Sequence, residues 1–166
     1  MTADMPGADG IRRWAEFGPR RRYRYALWRS WGEGGRVRSA ACFVLLNPST
    51  ADERVDDPTI RRCVGYARDW GHDMLCVLNI FALRSTDPSD LRRDADPVGI
   101  DNDVWLRCAA DYEQVVLAWG AHGSFMGRGD VVRALLPKTA FHFGLTVNGQ
   151  PRHPLYLPKS AQLVAA

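Results

Sequence analysis

Ala40-Ala41-Cys42-Phe43-Val44-Leu45-Leu46-Asn47-Pro48-Ser49-Thr50-Ala51-Asp52 is the stretch whose reading decides the fold. Its apolar half offers no polar face, so a strand here has to be covered on both sides, as at the centre of a parallel sheet. The run stops abruptly at Asn47-Pro48, and a short polar loop comes next. Asp57-Pro58 then opens a helix, with a capping residue followed by a proline whose missing N–H costs nothing at the first helical position. Ile60, Cys63, Val64 and Ala67 recur at i, i+3, i+4 and i+7, which makes one buried stripe, and Gly71 stops it. Met74–Ile80 is a second apolar run, expected to lie parallel to the first after a right-handed crossover.

Working outward, Tyr23–Trp31 alternates like a strand, and Gly32-Glu33-Gly34-Gly35 reads as a turn into Arg36–Leu46, so these two strands are expected to pair as a hairpin. Downstream, Asp87-Pro88 and Asp96-Pro97 bracket a loop with at most a short helix. Asp101–Tyr112 reads as a helix with Val104, Trp105, Cys108 and Ala109 on one face. Gln114–Trp119 is a third strand ended by Gly120, Asp130–Leu136 a short helix, and Thr139–Leu145 a fourth strand. Strands alternating with helices imply an α/β fold. The expectation is a three-layer α/β/α sandwich with a central, mostly parallel four-stranded sheet plus an N-terminal antiparallel strand. Residues 1–19 read as a flexible tail and residues 20–166 as one domain.

The 166 residues are 46% hydrophobic and 25% charged, the composition of an ordinary globular domain. No stretch approaches the ~20 apolar residues of a membrane span. Met1–Gly10 lacks the apolar run of a secretory signal, so a cytoplasmic location is expected. The net charge of +3 is far from that of a DNA-coating protein, although the cations are nearly all arginine, with only Lys138 and Lys159 as lysines. Cys42, Cys63, Cys76 and Cys108 form no C-x-x-C and lie within strands and helices, which reads as buried free thiols. No metal and no cofactor is expected, and the chain reads as a monomer.

Ligands of open parallel sheets bind beyond the carboxyl ends of the strands. Here Leu46 gives way to Asn47-Pro48-Ser49, Leu78 to Asn79, Trp119 to Gly120-Ala121-His122-Gly123, and the last segment to Arg152-His153-Pro154. Polar groups with rigid Pro or Gly neighbours thus gather at one edge of the sheet. Walker, dinucleotide-binding, zincin and nucleophile-elbow signatures are absent. Gly120-x-x-Gly123 and Gly127-x-Gly129 could cradle a phosphate or simply make turns. Ser49 and Thr50 have no adjacent base and read as turn residues.

From Tyr23 to Pro158 the chain resembles a bacterial family, the domain of unknown function numbered 1643. The match is carried by Asn47-Pro48-Ser49-Thr50-Ala51-Asp52, Asp57-Pro58-Thr59, Ala118-Trp119-Gly120 and Arg152-His153-Pro154-Leu155-Tyr156-Leu157-Pro158. A more distant resemblance is to the uracil-DNA glycosylase superfamily. Leu46-Asn47-Pro48 is similar to the Asn-Pro pair of its mismatch-specific branch, and Asn79 with Arg84-Ser85-Thr86 to the Asn and Arg-x-Thr after the next strand. Trp119-Gly120 is similar to the end of the third strand, and His153-Pro154 to the closing loop of the uracil-specific branch.

That second resemblance implies a glycosylase-like hydrolase acting on a modified or deaminated base, or a binding module or nucleoside hydrolase of the same fold. It implies roles by position. Asn47, with Pro48 and Ser49 beside it, would hold the attacking water, Asp52 would be the nearest alternative base with Asp56 and Asp57 behind it, Asp57 reading first as the helix cap, and His153 would stabilise the departing base. Asn79 would read a flipped base with its amide. Phe81 or Trp119 would stack on it, and Leu155 or Tyr156 would fill the gap it leaves. Gly120 and Gly123 would approach phosphate, His122 would line the site, and Arg152 would grip phosphate. The partner implied is DNA with a flipped base, or a nucleotide. The chain departs from the pattern in having no aromatic residue between Phe43 and Tyr66, and Leu46 where the superfamily has glycine before Asn-Pro.

Overall fold

The computed structural model describes residues 5–166. One mixed sheet of seven strands runs through them in the order β1-β2-β4-β3-β5-β6-β7. The strands are β1 (Arg12–Phe17), β2 (Arg24–Ser30), β3 (Ala40–Leu45), β4 (Met74–Asn79), β5 (Gln114–Leu117), β6 (Phe141–His142) and β7 (Val164–Ala165). β3 lies parallel between β4 and β5, β6 is parallel to β5, and the antiparallel pairs are β1 with β2, β2 with β4 and β6 with β7.

The apolar run ending at Leu46 supplies the central strand. Every residue of β3 is buried, and its side chains alternate between two cores. Cys42 and Val44 join Cys76, Leu78, Val115 and Leu117 on one face. Ala41, Phe43 and Leu45 join Leu75, Val77 and Val116 on the other. Helix α1 (Pro58–Asp69) covers the second face with Ile60, Cys63, Tyr66 and Ala67. The short α2 (Asp90–Arg93), then α3 (Asn102–Arg107) and α4 (Arg128–Leu135), supply Leu91, Leu106 and Val132 to the first. Asp57 caps α1 as expected, accepting the Ile60 N–H at 2.8 Å. Cys42, Cys63 and Cys76 are buried thiols, and burial raises the pKa of each of the first two.

Four expectations need correction. The hairpin between residues 23–31 and 36–46 does not form, because β4 lies between them. Both β3 and β4 are apolar on both faces, so each needs a central position, and β2 is accommodated one place further out. The link between β2 and β3 instead crosses the start of β4, where Trp31 N–H donates to the Asp73 carbonyl and Asp73 N–H to that of Ser39, both at 3.0 Å. Second, residues 12–17, read as tail, form edge strand β1, whose Trp14 stacks on Trp28 at 5.7 Å between centroids. Residues 1–4 of that tail lie outside the described residues. Third, α3 tightens into a 3-10 turn over Cys108–Asp111, which shifts its period. Asn102, Leu106 and Ala109 are buried and Val104 is exposed. Fourth, residues 139–145 contribute only Phe141 and His142 to the sheet. Gly144 at φ +97 turns the chain away immediately afterwards.

β2 carries two fully buried arginines, Arg24 and Arg29. Its pairing with β1 passes from Glu16↔Ala26 to Phe17↔Arg24 and skips Tyr25, which is a β-bulge. A bulge changes the alternation of a strand and re-aims the side chains on its far side. Arg24 therefore shares a face with Leu27 and Arg29 rather than with Ala26 and Trp28. Both arginines reach the loop before α1. Arg29 pairs with Asp56 at 2.6 Å and donates to the carbonyls of Trp28, Asp52 and Val55, while Arg24 donates to the Ala51 carbonyl. Replacing Arg29 by Ala removes the 2.6 Å partner of Asp56, leaving it only Arg13 at 3.8 Å, and takes the guanidinium donors away from three carbonyls. We expect a loss of about 3 kcal/mol in urea unfolding and faster amide exchange across residues 52–57.

Candidate functional site

A cleft of about 490 Å³ opens beyond the carboxyl ends of β3, β4 and β5. Of the residues singled out from sequence, Asn47, Ser49, Asn79, Trp119, Gly120 and His122 line it, as do His153, Leu155 and Tyr156. The three groups of the central expectation, Asn47, Asn79 and His153, come from separate segments of the chain and meet in this one hollow. Its volume is within the range of small-molecule sites.

Each is held by a local device. Asn47 Nδ2 donates to the carbonyls of Pro48 at 3.1 Å and Ser85 at 2.9 Å. The amide nitrogen is thus committed, and Asn47 keeps its carbonyl oxygen for a ligand or water. Asn79 ends β4, fully buried, and Asn102 Nδ2 donates to its backbone carbonyl at 2.9 Å. His153 is placed through Gly120, whose N–H donates to the Pro151 carbonyl at 2.7 Å. Gly120 sits at φ +77, where a side chain is strained, and a Cβ there would meet the His153 Cβ at 3.4 Å. Tyr66 Oη donates to the Pro158 carbonyl at 2.7 Å and secures the far side of the same loop.

The charge state of His153 follows from its contacts. Its Nδ1 accepts the Leu155 N–H at 3.2 Å, which only an unprotonated nitrogen can do, so the neutral ring carries its proton on Nε2. Burial depresses its pKa below the usual histidine value, and the Asp57 charge opposes this only in part. Asp57 itself lines the cleft while capping α1, and its charge is felt at Arg24 as well.

Five expected residues lie elsewhere. Asp52 forms a local turn, its Oδ1 accepting the N–H groups of Arg54 at 2.8 Å and Val55 at 2.9 Å. Burial raises its pKa, but those donors outweigh it and hold the carboxyl below its ordinary value. Asp57, not Asp52, is therefore the acidic residue of the cleft. Phe81 is fully buried in the core against Phe125, ring centroids 5.7 Å apart, and cannot stack on a ligand. Gly123 is buried against the Trp119 ring, so closely that a Cβ would lie 2.0 Å from it, and it packs the core rather than lining the cleft. Pro48 is buried, its carbonyl accepting the Ser85 N–H at 2.8 Å. Arg152 is exposed outside the cleft, its side chain near Gly144.

The structure adds Arg24, Asp57, Ser85 and Thr86 to the lining. Arg24 was hidden because a strand residue far along the chain from any motif carries no local signal, and the bulge that re-aims it has no sequence signature. In sequence Asp57 stood behind Asp52 as a base, because its place before Pro58 marked it first as a helix cap. Among the described residues no group of three or more His, Cys, Asp or Glu side chains could hold a metal ion. No helix of the described residues is long and apolar enough to cross a membrane.

Fold and site together define an α/β protein with a cleft at the carboxyl ends of its parallel strands. Residues 24–155 match the model of a family described as protein of unknown function (DUF1643), and the chain belongs to that family. Neither the curated proteins nor the solved structures include one that matches this chain.

A histidine held below its ordinary value binds its proton more readily once unfolded. The stability it contributes is complete above pH ~7 and declines as pH falls through ~6.5 towards 5. His142 behaves likewise, its pKa lowered by burial and by Arg133, with Nδ1 accepting the Gly144 N–H at 2.8 Å. The urea midpoint should fall between pH 7 and pH 5. His153→Asn and His142→Asn, each supplying an acceptor that does not titrate, should flatten that decline.

Proposed function

We propose that the cleft receives a nucleobase turned out of a nucleic acid strand, and that the chain hydrolyses its N-glycosidic bond. The observation that carries this reading is the meeting of Asn47, Asn79 and His153 in one base-sized hollow. These are the positions that resemble the glycosylase motifs, in the same order along the chain. The arrangement of α1 on one sheet face and α3 and α4 on the other fits the three-layer fold of that superfamily.

Cleavage breaks the C1′–N bond with its electron pair leaving on the base, while a water oxygen bonds to C1′. A neutral His153 with its proton on Nε2 suits stabilisation of the departing anion. The Asn47 carbonyl oxygen suits the water but cannot take its proton, and Asp57 supplies a carboxylate for that purpose. Tyr156, 89% exposed, and Leu155 stand at the rim. Leu155 also lines a second groove, along α1, where Arg61, Arg62 and Lys159 outnumber Asp69 and suit a phosphate backbone. A second reading, binding without cleavage, is favoured by the engagement of Asp57 Oδ1 in the helix cap.

Incubation with oligonucleotides carrying single deaminated or alkylated bases, followed by alkali, separates the two. The hydrolase reading expects strand scission at one or more of them, reduced at least ~100-fold by Asn47→Ala or His153→Ala. Tight binding with no abasic sites selects the module. Asp57→Asn keeps a capping oxygen, so stability should change by less than about 0.5 kcal/mol while cleavage falls. Unchanged cleavage in that variant would remove Asp57 from the mechanism.

A further inference from the structure

Arg24 has no role in the chemistry above, yet it is fully buried in the wall of the cleft. Burial draws its pKa down to about 9, so the charge is carried into the interior against its preference for water. A guanidinium has donors and no acceptor. Nη1 donates to the Ala51 carbonyl at 2.8 Å and Nη2 to Asn79 Oδ1 at 3.2 Å. That second contact settles which way round the Asn79 amide lies. The oxygen has to face Arg24, since a turned amide would set donor against donor in a dry interior.

The rest of Asn79 is equally fixed. Asn102 Nδ2 donates to the carbonyls of Asn79 and Ile80, and Arg128 Nε donates to the Ile80 carbonyl at 2.7 Å. One polar atom of Asn79 is left without a partner, the buried Nδ2. A buried donor with no acceptor is rare and unfavourable, and in a residue lining a cleft it is satisfied by an acceptor that arrives from outside.

We propose that Arg24 is a positioning residue that locks Asn79 as a dedicated hydrogen-bond donor, so that the cleft selects a ring whose facing edge carries a keto oxygen over one that carries an exocyclic amine. This rests on the reading of the cleft as a base site. It narrows that reading, because an unrestrained asparagine amide serves either edge by turning over. The selectivity comes from the bulge in β2, which brings Arg24 to the face of Asn79.

Two measurements on the full chain test it. The first is the Asn79 side-chain amide signal in nitrogen-15 NMR, with no ligand present. A single sharp pair is expected in the native protein and in Arg24→Lys, which keeps a donor towards the oxygen. Broadening or doubling is expected in Arg24→Met. The second is titration with deoxyuridine against deoxycytidine and deoxyinosine against deoxyadenosine. The keto member of at least one pair should bind tenfold or more tightly, and the preference should drop below threefold in Arg24→Met. Asn79→Asp retains a partner for Arg24 and loses the donor, so it should fold and lose the preference even if Arg24→Met does not fold. An amide signal and preference unchanged in Arg24→Met would overturn the proposal. So would a retained preference in Asn79→Asp, or native protein that binds both members alike or neither. A keto preference in protein that forms no abasic sites in oligonucleotides would instead sink the hydrolase reading and leave this one standing.

Discussion

A buried guanidinium stays charged at neutral pH and cannot accept a hydrogen bond, so a strand that carries two of them dictates what must surround it. Arg24 and Arg29 of β2 are both fully buried, and between them they take the carbonyls of Ala51, Asp52 and Val55, the Asp56 carboxylate and the Asn79 amide oxygen. The loop from Asn47 to Asp57 is thereby tied to a strand that is not its neighbour in sequence. That tie holds Asn47 at one end of the loop and Asp57 at the other against the same hollow. The bulge at Tyr25 makes it possible, because a regular β2 would have sent Arg24 to the opposite face.

The remaining walls obey the same rule, in which each polar group is held by a backbone partner. Asn47 commits its nitrogen to the carbonyls of Pro48 and Ser85, and His153 commits Nδ1 to the Leu155 amide. The groups left over, a carbonyl oxygen on Asn47, an N–H on His153 and an amide nitrogen on Asn79, face outward tasks without freedom to rotate. Groups fixed in this way need no reorganisation before they meet a partner. The Trp119 ring completes the floor, with Gly123 and Gly129 close-packed on it and Gln150 accepting its N–H at 2.8 Å.

Much of this was legible along the chain. β3 and β4 were apolar runs long enough to demand the centre of a sheet, and α1 announced itself by its cap, its stripe and its terminal glycine. Asn47 and Asn79 were visible because a polar residue at the end of a buried strand has only one edge of the sheet to go to, Gly120 because it ends the third apolar run, and His153 because it stands in the proline-rich closing segment. Misreadings came where a residue's neighbours in space were not its neighbours in sequence. Phe81 lies two residues beyond Asn79 yet faces the core, and Asp52 lies five beyond Asn47 yet closes a turn on itself.

By itself, then, the sequence determined the α/β class, the central strands, the first helix and the strand-end positions of the polar groups, since hydrophobic runs, caps and glycines act over a few residues. Only the tertiary structure decided strand order, the place of β1, the choice of Asp57 over Asp52 and the burial of Arg24 beside Asn79. Those depend on which distant segments exclude water together, and burial of a charge or an amide is a property of that assembly rather than of any local pattern.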